Sequence, residues 1–508
     1  MEAIQAMTGS SSRCYTVGDL IMSCEPLVWI LESSAYKIRC AYCLQKNQEL
    51  RTCSGCHLHR YCNPVCQAAD WKVEHKFECA LLKTIGTGMR LGTERWSLRQ
   101  TVSGHYAVPT EMIAKLANKI KLNTMMDIPG IGRASAKDLL LMLPENPSQA
   151  EVELELQPAL SAMEAQNSLV VGLPAAEFLA YYGILRYNIL PIYDTFHIPT
   201  IPIGLAVYPQ APPRWMTPVC WDINVVLNCR GRRLVIHAVE VIQEYTGLAD
   251  LRYSDMAREP FCLTRTARRD KFEKRFGYPC ACRRCTEEYD AEINPLRCVT
   301  VGCTNRIPSD SRAQKACSEC GAINSDRLKQ FRGFIQLHEN IMSRYSLKLP
   351  GGIFMEFCKE IDAAGILQPD AHIRYVYGWE LAHKYCLEDR FEEGWQMLQE
   401  MVACIRKIHL KYAVMRAIIL MSAGKSAVIG MHRRVLNDLQ LVSSPAKEKL
   451  ETLALQVCHH AFEYYDEAKD ILAVLFGKKS KEVLTGHVMF EPVAEKIRVM
   501  EQAFRGSK

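Results

Sequence analysis

Eight potential metal ligands lie within forty residues near the start of this 508-residue chain, and they constrain its fold more strongly than any other feature. Zinc binds four thiolate or imidazole ligands tetrahedrally, and a Cys-x2-Cys pair supplies two of them from one tight turn. Eight ligands therefore predict two zinc ions. The ligands are Cys40, Cys43, Cys53, Cys56, Cys62, Cys66, His75 and Cys79.

The spacing of these ligands resembles the MYND zinc finger, as does the ending from Trp71 through His75 to Cys79. A disulfide-rich module, or buried thiols without metal, is the alternative interpretation. The 23 cysteines of the chain are odd in number and ligand-like in spacing, so we expect metal in a reducing compartment. The resemblance implies interleaved sites, one formed by Cys40, Cys43, Cys62 and Cys66 and the other by Cys53, Cys56, His75 and Cys79.

The residues before the finger resemble the opening of a SET domain, with a Gly18-Asp19 turn and then a strand-like run through Glu25-Pro26-Leu27. A SET segment followed by a MYND finger is the order found in the SMYD protein-lysine methyltransferases. The resemblance implies an α+β fold: a β-rich SET domain interrupted by a MYND zinc finger, with a C-terminal all-helical tetratricopeptide-like domain. The expected segments are 1–36 (first SET segment), 37–82 (finger), 83–200 (helical SET insert), 201–258 (SET core), 259–324 (post-SET and extra zinc ribbon) and 325–508 (helical domain).

Local patterns predict the main elements around these motifs. Thr110 is expected to cap a helix, and Pro174 to open an apolar helix that reaches about Leu190. Gly231-Arg232 is a plausible hairpin turn. Short β-branched runs predict strands at Ile203–Tyr208, Asn224–Asn228 and Leu234–Val241, and only helices are expected after Ser325.

Two further cysteine sets predict two more zinc ions, about four in all. A basic helix leads into Cys280, Cys282 and Cys285, which resemble the post-SET segment of the family. That resemblance implies Cys220 as the fourth ligand. The second set comprises two paired ligand groups and ends in Gly321, a pattern that fits a zinc ribbon formed by Cys298, Cys303, Cys317 and Cys320.

The resemblance implies methyl transfer from S-adenosylmethionine to a lysine of a protein substrate, with histone tails as a family-level expectation. Tyr253 stands where the family has a tyrosine beside the substrate lysine, so it is the catalytic candidate; the alternative is a core aromatic residue at a strand end. Tyr278 matches an aromatic residue that borders the cofactor in relatives. Asn224 is a cofactor candidate because it belongs to the remnant of the Asn-His-Ser-Cys motif around Cys220.

Two of the three cofactor-contacting elements of the family are altered in this chain. Ala6-Met7-Thr8 stands where a Gly-x-Gly turn is expected, and Thr217-Pro218 or Pro218-Val219 replaces the Asn-His pair. One interpretation is a divergent methyltransferase, which the sequence favours slightly. The other is a catalytically inactive SET/MYND adaptor that binds proline-containing peptides at its finger and regulates transcription.

A third hypothesis concerns residues 128–136, which resemble the hairpin of a helix-hairpin-helix DNA-binding motif. The match is only about ten residues long, has modest flanking basic charge and lies inside the helical insert, so direct DNA binding is not expected. The chain contains no run of about 18 uncharged apolar residues, and Met1–Ser12 lacks the pattern of a signal peptide. We therefore expect a monomer of the nucleus and/or cytoplasm without membrane insertion.

Overall fold

The computed structural model describes residues 13–32, 35–47, 49–76, 78–80, 82–83, 108–120, 125–128, 132–135, 173–193, 202–212, 216–253, 265–276, 278–286, 294–309, 315–345, 359–360, 363–368, 371, 381–388, 390–408, 414–438, 444–476 and 491–502. It divides into two compact units. The first comprises Met1–Val219, Ile223–Ser254 and Asp270–Pro279, and the second comprises Cys220–Asp222, Asp255–Arg269 and Cys280–Lys508.

The first unit contains short strands that pair mostly antiparallel. β2 (Leu20–Cys24) pairs with β12 (Arg233–Ala238), β3 (Val28–Leu31) with β9 (Pro202–Val207), and β1 (Arg13–Tyr15) with β13 (Ile242–Tyr245). Strands that precede the finger therefore pair with strands that follow residue 200. The predicted meeting of these two distant parts of the chain is confirmed. The strands are β1 (Arg13–Tyr15), β2 (Leu20–Cys24), β3 (Val28–Leu31), β4 (Arg51–Thr52), β5 (Arg60–Tyr61), β6 (Met126–Ile128), β7 (Gly132–Ala134), β8 (Ile189–Tyr193), β9 (Pro202–Val207), β10 (Thr217–Pro218), β11 (Val225–Arg230), β12 (Arg233–Ala238), β13 (Ile242–Tyr245) and β14 (Arg252–Tyr253).

The core of this unit runs from the β-sheets into the finger without interruption. All four residues of β3 are buried, as expected for a strand covered on both faces. The Trp29 indole donates a hydrogen bond of 3.1 Å to the Ala41 carbonyl of the finger. The Arg232 guanidinium lies 3.9 Å from the centre of the Tyr42 ring. A Cβ at Gly231, in the predicted β11–β12 turn, would approach the Cys43 carbonyl to 2.7 Å, so this turn packs directly on the finger.

The finger itself consists of the β4–β5 hairpin and the helix Pro64–Asp70, which continues into a wider π-type turn over Trp71–His75. In its described residues the insert contributes the helices Thr110–Lys119 and Ala175–Asn188, the β6–β7 hairpin and β8. The predicted basic helix is Arg265–Phe276; its first five residues fall in the second unit and the rest in the first.

Several local predictions need correction. Thr110 is the first helical residue and makes no cap; the N-cap position belongs to Pro109. The helix after Pro174 ends at Asn188, where the chain turns into β8. The strand predicted to reach Val241 ends at Ala238, because the next two main-chain N–H groups bond to the Asn224 carbonyl.

The described part of residues 128–136 forms strands. β6 and β7 pair antiparallel from Met126–Ala134 to Ile128–Gly132. A helix-hairpin-helix motif needs a helix that begins at its glycine turn, and Gly132–Ala134 is a strand instead. The altered glycine element at Ala6-Met7-Thr8 lies outside the described residues.

The described residues after Ser325 are mainly helical, as predicted, although Leu367 forms a β-bridge to Leu296. A small hairpin of β15 (Leu296–Arg297) and β16 (Arg306–Ile307) precedes these helices. None of the helices in the described ranges has the length and apolar content needed to cross a membrane. The longer helices are Ser325–Tyr345, Phe391–Ile408, Val414–Asp438 and Ser444–Phe476, and the short helix Arg283–Thr286 lies ahead of them.

Candidate metal centres and cofactor segment

The structure gathers the sixteen predicted metal ligands into four clusters of four. Within each cluster all four ligand atoms lie within 4.8 Å of one another, and the groupings are those implied by the family resemblance and the spacing. A tetrahedron with zinc–sulfur bonds of about 2.3 Å has edges of about 3.8 Å. The Sγ atoms of Cys43 and Cys62 are 3.8 Å apart and those of Cys53 and Cys79 are 3.9 Å apart. These separations fit a shared ion and are far too long for disulfide bonds.

Each Cys-x2-Cys turn of the finger has the same backbone form. The residue after the second cysteine has a positive φ, 60° at Leu44 and 56° at His57. The N–H of that residue donates back to the carbonyl of the first cysteine, from Leu44 to Cys40 and from His57 to Cys53. This left-handed step, uncommon for residues other than glycine, points both thiols of a pair toward one centre.

Local sequence also fixes the remaining finger ligands. The Asn63 side chain caps the helix Pro64–Asp70 by accepting a hydrogen bond of 2.8 Å from the Cys66 N–H, which sets the position of that ligand. Gly55 leaves room for the Cys79 thiol, one helical turn after His75, because a Cβ at Gly55 would approach the Cys79 Sγ to 2.7 Å. His75 presents Nε2 to this second cluster, 3.3 Å from the Cys53 Sγ and 3.6 Å from the Cys56 Sγ.

A buried network of charged side chains contacts the Nδ1 side of the His75 ring, opposite the nitrogen that faces the metal cluster. Its Nδ1 lies 3.2 Å from a Glu78 carboxylate oxygen, and the other oxygen of Glu78 is 2.9 Å from the Lys115 ammonium of the insert helix. Glu74 also contacts Lys115, at 3.4 Å. A carboxylate on the second nitrogen of a zinc-binding imidazole fixes its orientation. The sequence motifs did not identify Glu78 or Lys115, although the His75-x2-Glu78 spacing was a usable signal.

Burial and charge shift the pKa values in this network. Burial alone would raise the pKa of Glu78, but Lys115 and His59 hold it well below its usual value. For Glu74 burial dominates and raises the pKa to about 7. Burial also lowers the pKa of His59, whose ring stacks on that of His75 with centroids 4.5 Å apart. Glu78 is therefore the carboxylate that stays ionised beside the imidazole.

The third cluster joins Cys220 to the three cysteines that follow the basic helix. The Cys220 Sγ lies 3.3 Å from the Cys282 Sγ and 3.2 Å from the Cys285 Sγ. Asp222, with a φ of 50°, accepts a hydrogen bond of 2.6 Å from the Arg283 N–H at the start of the short helix. All four thiols of this cluster are buried, which favours a structural ion over a solvent-exposed reactive one.

The candidate catalytic tyrosine lies in a short parallel strand pair. β14 carries Tyr253 beside Pro218 of β10, and the N–H of Val219 donates to the Tyr253 carbonyl. Tyr253 is 1% exposed. Proline is tolerated here because the bonds across this pair come from its two neighbours: the Thr217 N–H donates to the Leu251 carbonyl and the Val219 N–H to the Tyr253 carbonyl.

Asn224, a predicted cofactor contact, is bound to the main chain at both ends of its carboxamide. Its Nδ2 donates to the Asp250 carbonyl at 2.8 Å, and its Oδ1 accepts from the Arg252 N–H at 2.6 Å. These bonds place Asn224 next to Tyr253 and hold the turn before β14. Its observed contacts are therefore structural, and a role in cofactor binding stays a prediction.

Tyr278, the other predicted cofactor contact, lies in an aromatic group on the basic helix. Its ring centroid is 5.7 Å from that of Phe272 and 6.4 Å from that of Phe276. The side chain is 47% exposed. The structure thus brings Asn224 and Tyr253 together, and it places Tyr278 at a partly open surface.

Comparisons with known proteins agree with this arrangement. The MYND finger family model matches residues 40–79. The chain is 24% identical over 281 residues to the N-lysine methyltransferase SMYD2 of Homo sapiens, covering 54% of this chain and 56% of that protein. It is 24% identical over 295 residues to the Gallus gallus protein of the same name, covering 56% and 59%. A SET and MYND domain-containing protein of Dictyostelium discoideum is 40% identical over 81 residues, 15% of this chain and 14% of that one.

The finger match and these relatives support a SET and MYND domain protein, and the low identity to the SMYD2 proteins supports a divergent member of the SMYD type. The chain spans little more than half the length of the SMYD2 relatives it matches. The finger match and the Cys/His clusters together support zinc as the bound metal.

Proposed function

We propose that the chain is a protein-lysine N-methyltransferase of the SMYD type, with strands β1–β3 and β8–β14 as its SET domain and Tyr253 as its catalytic residue. The observation that carries the proposal is the β10–β14 pair, which buries Tyr253 beside the Thr217–Val219 segment where the family binds its cofactor. The low-identity relatives named N-lysine methyltransferases support the same class of reaction.

S-adenosylmethionine would supply the electrophilic methyl group in this reaction. The substrate lysine must lose a proton to solvent before its amine can attack, and the products are a methylated lysine and S-adenosylhomocysteine. The task of the chain is mainly positioning. The Tyr253 hydroxyl would accept a hydrogen bond from the amine and aim its lone pair at the methyl carbon, while burial of Tyr253 would keep water from the reacting atoms.

The residues fit this cofactor in part. Tyr253 has the burial that a transfer channel requires. Pro218 has no N–H. The edge of β10 that faces away from β14 therefore offers one main-chain donor fewer than an ordinary strand would. The Asn224 carboxamide, already bound to the main chain at both ends, has little capacity left for a ligand. We therefore expect weaker cofactor binding than an Asn-His motif would give.

Calorimetric titration of zinc-loaded protein with S-adenosylmethionine tests the proposal directly. We expect saturable heat in the micromolar range, and methyl transfer to lysine peptides that falls at least about 100-fold in Tyr253→Phe. Tyr245→Phe serves as a matched control for loss of a hydroxyl on a neighbouring strand. Absence of binding at high micromolar S-adenosylmethionine, in protein with full metal content, would refute the proposed methyltransferase activity.

A second function, an adaptor that binds proline-containing peptides, is favoured by the surface of the finger. Val65 is 76% exposed and Trp71 is 48% exposed, and both lie on the finger helix and its π-type extension. Proline rings pack well on exposed aromatic faces, and an extended proline-rich peptide loses little entropy on binding.

Fluorescence titration with proline-rich peptides checks this function independently of methyl transfer. Val65→Asp should weaken binding about tenfold without a change in metal content, because Val65 is not a ligand. Val301→Asp, at an exposed apolar position on the second unit, is the control. Equal affinity of Val65→Asp and wild type would exclude the finger surface as the peptide site.

A further inference from the structure

We propose that Cys298, Cys303, Cys317 and Cys320 bind a zinc ion that fastens the start of the helical region in the second unit. The MYND match ends at residue 79, and nothing in the methyl-transfer chemistry requires this centre. The inference is therefore independent of the function proposed above. It depends on three observations: the form of the backbone turn, the polar contacts to the thiols, and the small core around them.

The backbone of the Cys317–Gly321 turn repeats the form seen twice in the finger. Gly321 follows the second cysteine with a φ of 73°, and its N–H donates to the Cys317 carbonyl at 2.9 Å. Leu44 and His57 do the same after their own cysteine pairs. A turn shared with two clusters inside a matched zinc finger is specific evidence for a metal-binding turn.

The thiols of this cluster lie at ligand separation. The Sγ atoms of Cys298 and Cys320 are 3.5 Å apart, and those of Cys303 and Cys317 are 3.8 Å apart. Asn305 donates a hydrogen bond of 3.1 Å from Nδ2 to the Cys317 Sγ. Such donors stabilise a thiolate that bears negative charge toward a metal. The four soft thiolate ligands favour zinc over the harder divalent cations.

Two of these cysteines belong to a small hydrophobic core that also receives the first long helix. Cys298 and Cys317 are buried in a cluster with Leu328 and Phe331 of the helix Ser325–Tyr345 and with Leu367 from a later segment. Leu296 of β15 forms a bridge to Leu367, and the Arg297 N–H donates to the Ile366 carbonyl at 2.7 Å. Three stretches of chain, 294–309, 315–345 and 363–368, therefore meet at the cluster.

Asn324 links the ligand turns to the helix. It is fully buried, and its Oδ1 accepts a hydrogen bond of 2.8 Å from the Val299 N–H, the residue after the first ligand. Its Nδ2 donates to the Ala322 carbonyl, and its own carbonyl accepts from the Leu328 N–H in the first helical turn. Loss of the ion would free both ligand turns and so remove the support of this helix start.

Of the four clusters, this centre is the one with an exposed ligand. Cys320 is exposed and Cys303 half-buried, whereas the first finger cluster has three half-buried ligands and none exposed, and the other two clusters are fully buried. The Glu319 carboxylate lies 3.5 Å from the Cys303 Sγ and adds negative charge beside the thiolates. A chelator reaches an exposed ion first, so we expect this ion to leave before the other three.

Metal analysis of the full-length protein by inductively coupled plasma mass spectrometry, combined with hydrogen exchange, tests the proposal. Wild type should hold four zinc ions, one for each four-residue cluster, and Cys320→Ser should hold three. In Cys320→Ser, amides near Leu296, Leu328 and Leu367 should exchange about tenfold faster, with the finger unchanged. Cys14→Ser, which changes an exposed cysteine outside the clusters, should match wild type in both measurements.

A second variant and a chelator series distinguish loss of this one ion from misfolding of Cys320→Ser. Cys303→Ser should also retain three ions, and a chelator should remove one ion from wild type in a fast phase that both variants lack. Three ions in wild type, four in Cys320→Ser, or a metal other than zinc in the fast phase would overturn the proposal. Unchanged exchange around Leu328 after loss of one ion would overturn the claim that the ion supports the helix.

Discussion

The second metal cluster of the finger and the β10–β14 pair around the buried Tyr253 both belong to the first unit, yet they are built in opposite ways. In the finger, polar side chains point toward a ligand position: Glu78 orients His75 and is itself held by Lys115. Next to the β10–β14 pair, the polar side chain of Asn224 is instead hydrogen-bonded to the main chain at both ends of its carboxamide. The first region is organised to hold a ligand; the second is organised mainly to hold its own backbone.

The difference indicates that metal binding and fold can persist where the contacts to an organic cofactor have changed. Zinc requires four specific side chains in each cluster, and all sixteen are present. The cofactor contacts of the family depend on main-chain donors and glycine positions. Pro218 alters the donors without disturbing the strand that contains it.

The comparison would fail most clearly if the charged network of the finger contributed nothing to its stability. Lys115→Met removes the cation that contacts Glu78 and Glu74 and leaves two buried carboxylates without it. We expect a loss of about 3–5 kcal/mol in the free energy of unfolding. Thermal and denaturant unfolding of zinc-loaded protein measures it.

Lys72→Met, on the exposed side of the same finger, is the matched control and should change stability by less than about 0.5 kcal/mol. If the two variants were equally stable, the network would not be a support for His75. Zinc content should be measured in both, because loss of the ion from Lys115→Met alone would itself show the coupling between the insert helix and the metal.

Close packing at the metal gives the next largest effect. A Cβ added by Gly55→Ala would lie 2.7 Å from the Cys79 Sγ, so the ligand must move. We expect a cost of about 1–3 kcal/mol and faster release of the ion to a chelator. Gly247→Ala is the control, since a Cβ there would meet no atom within 4 Å. Equal chelator kinetics for the two variants would contradict the packing argument.

The sequence predicted the metal clusters well because ligand chemistry depends on residue type and local spacing. It did not predict the contact of Lys115 with Glu74 and Glu78 of the finger. That contact depends on how the insert helix packs, which leaves no local pattern in the sequence. The overlong strand at Leu234–Val241 has a similar cause, because the Asn224 carbonyl that ends it is distant in sequence. The wrong cap at Thr110 is a local error of one position, since Pro109 directly precedes it.

A buried histidine outside the metal clusters provides a pH test. Burial, and then the Arg230 charge, lowers the pKa of His237 in β12 to about 4, below the ordinary value of 6.5. The unfolded chain therefore takes up a proton before the folded one, so this contribution to stability is present above pH 6.5 and is lost as the pH falls toward 4. We expect a loss of about 1 kcal/mol between pH 7.5 and pH 5.5.

The loss due to His237 can be separated from acid release of zinc by comparison with His237→Gln. The variant has no imidazole at this position, so its stability should fall by about 1 kcal/mol less than that of wild type over the same range. Denaturant unfolding at the two pH values gives both numbers. Parallel pH dependence of the two proteins would mean that His237 is solvated or already protonated in the folded state.

The smallest effect is the one that tests the cofactor segment itself. Thr217→Asn combined with Pro218→His restores the Asn-His pair that the family has before its cysteine. The histidine also supplies a main-chain N–H at the edge of β10 that faces away from β14. One added hydrogen bond contributes about 1 kcal/mol, so S-adenosylmethionine should bind about fivefold more tightly. The ladder to β14 should remain, because Val219 still donates to the Tyr253 carbonyl.

Thr217→Asn alone is the control, since it keeps the proline and should leave affinity nearly unchanged. Calorimetry that found tighter binding in the double variant would mean that the segment has kept the shape of a cofactor site and lost only its donor. If neither variant bound the cofactor while both held their zinc, the difference between the two regions would extend beyond Pro218 to the rest of the pocket.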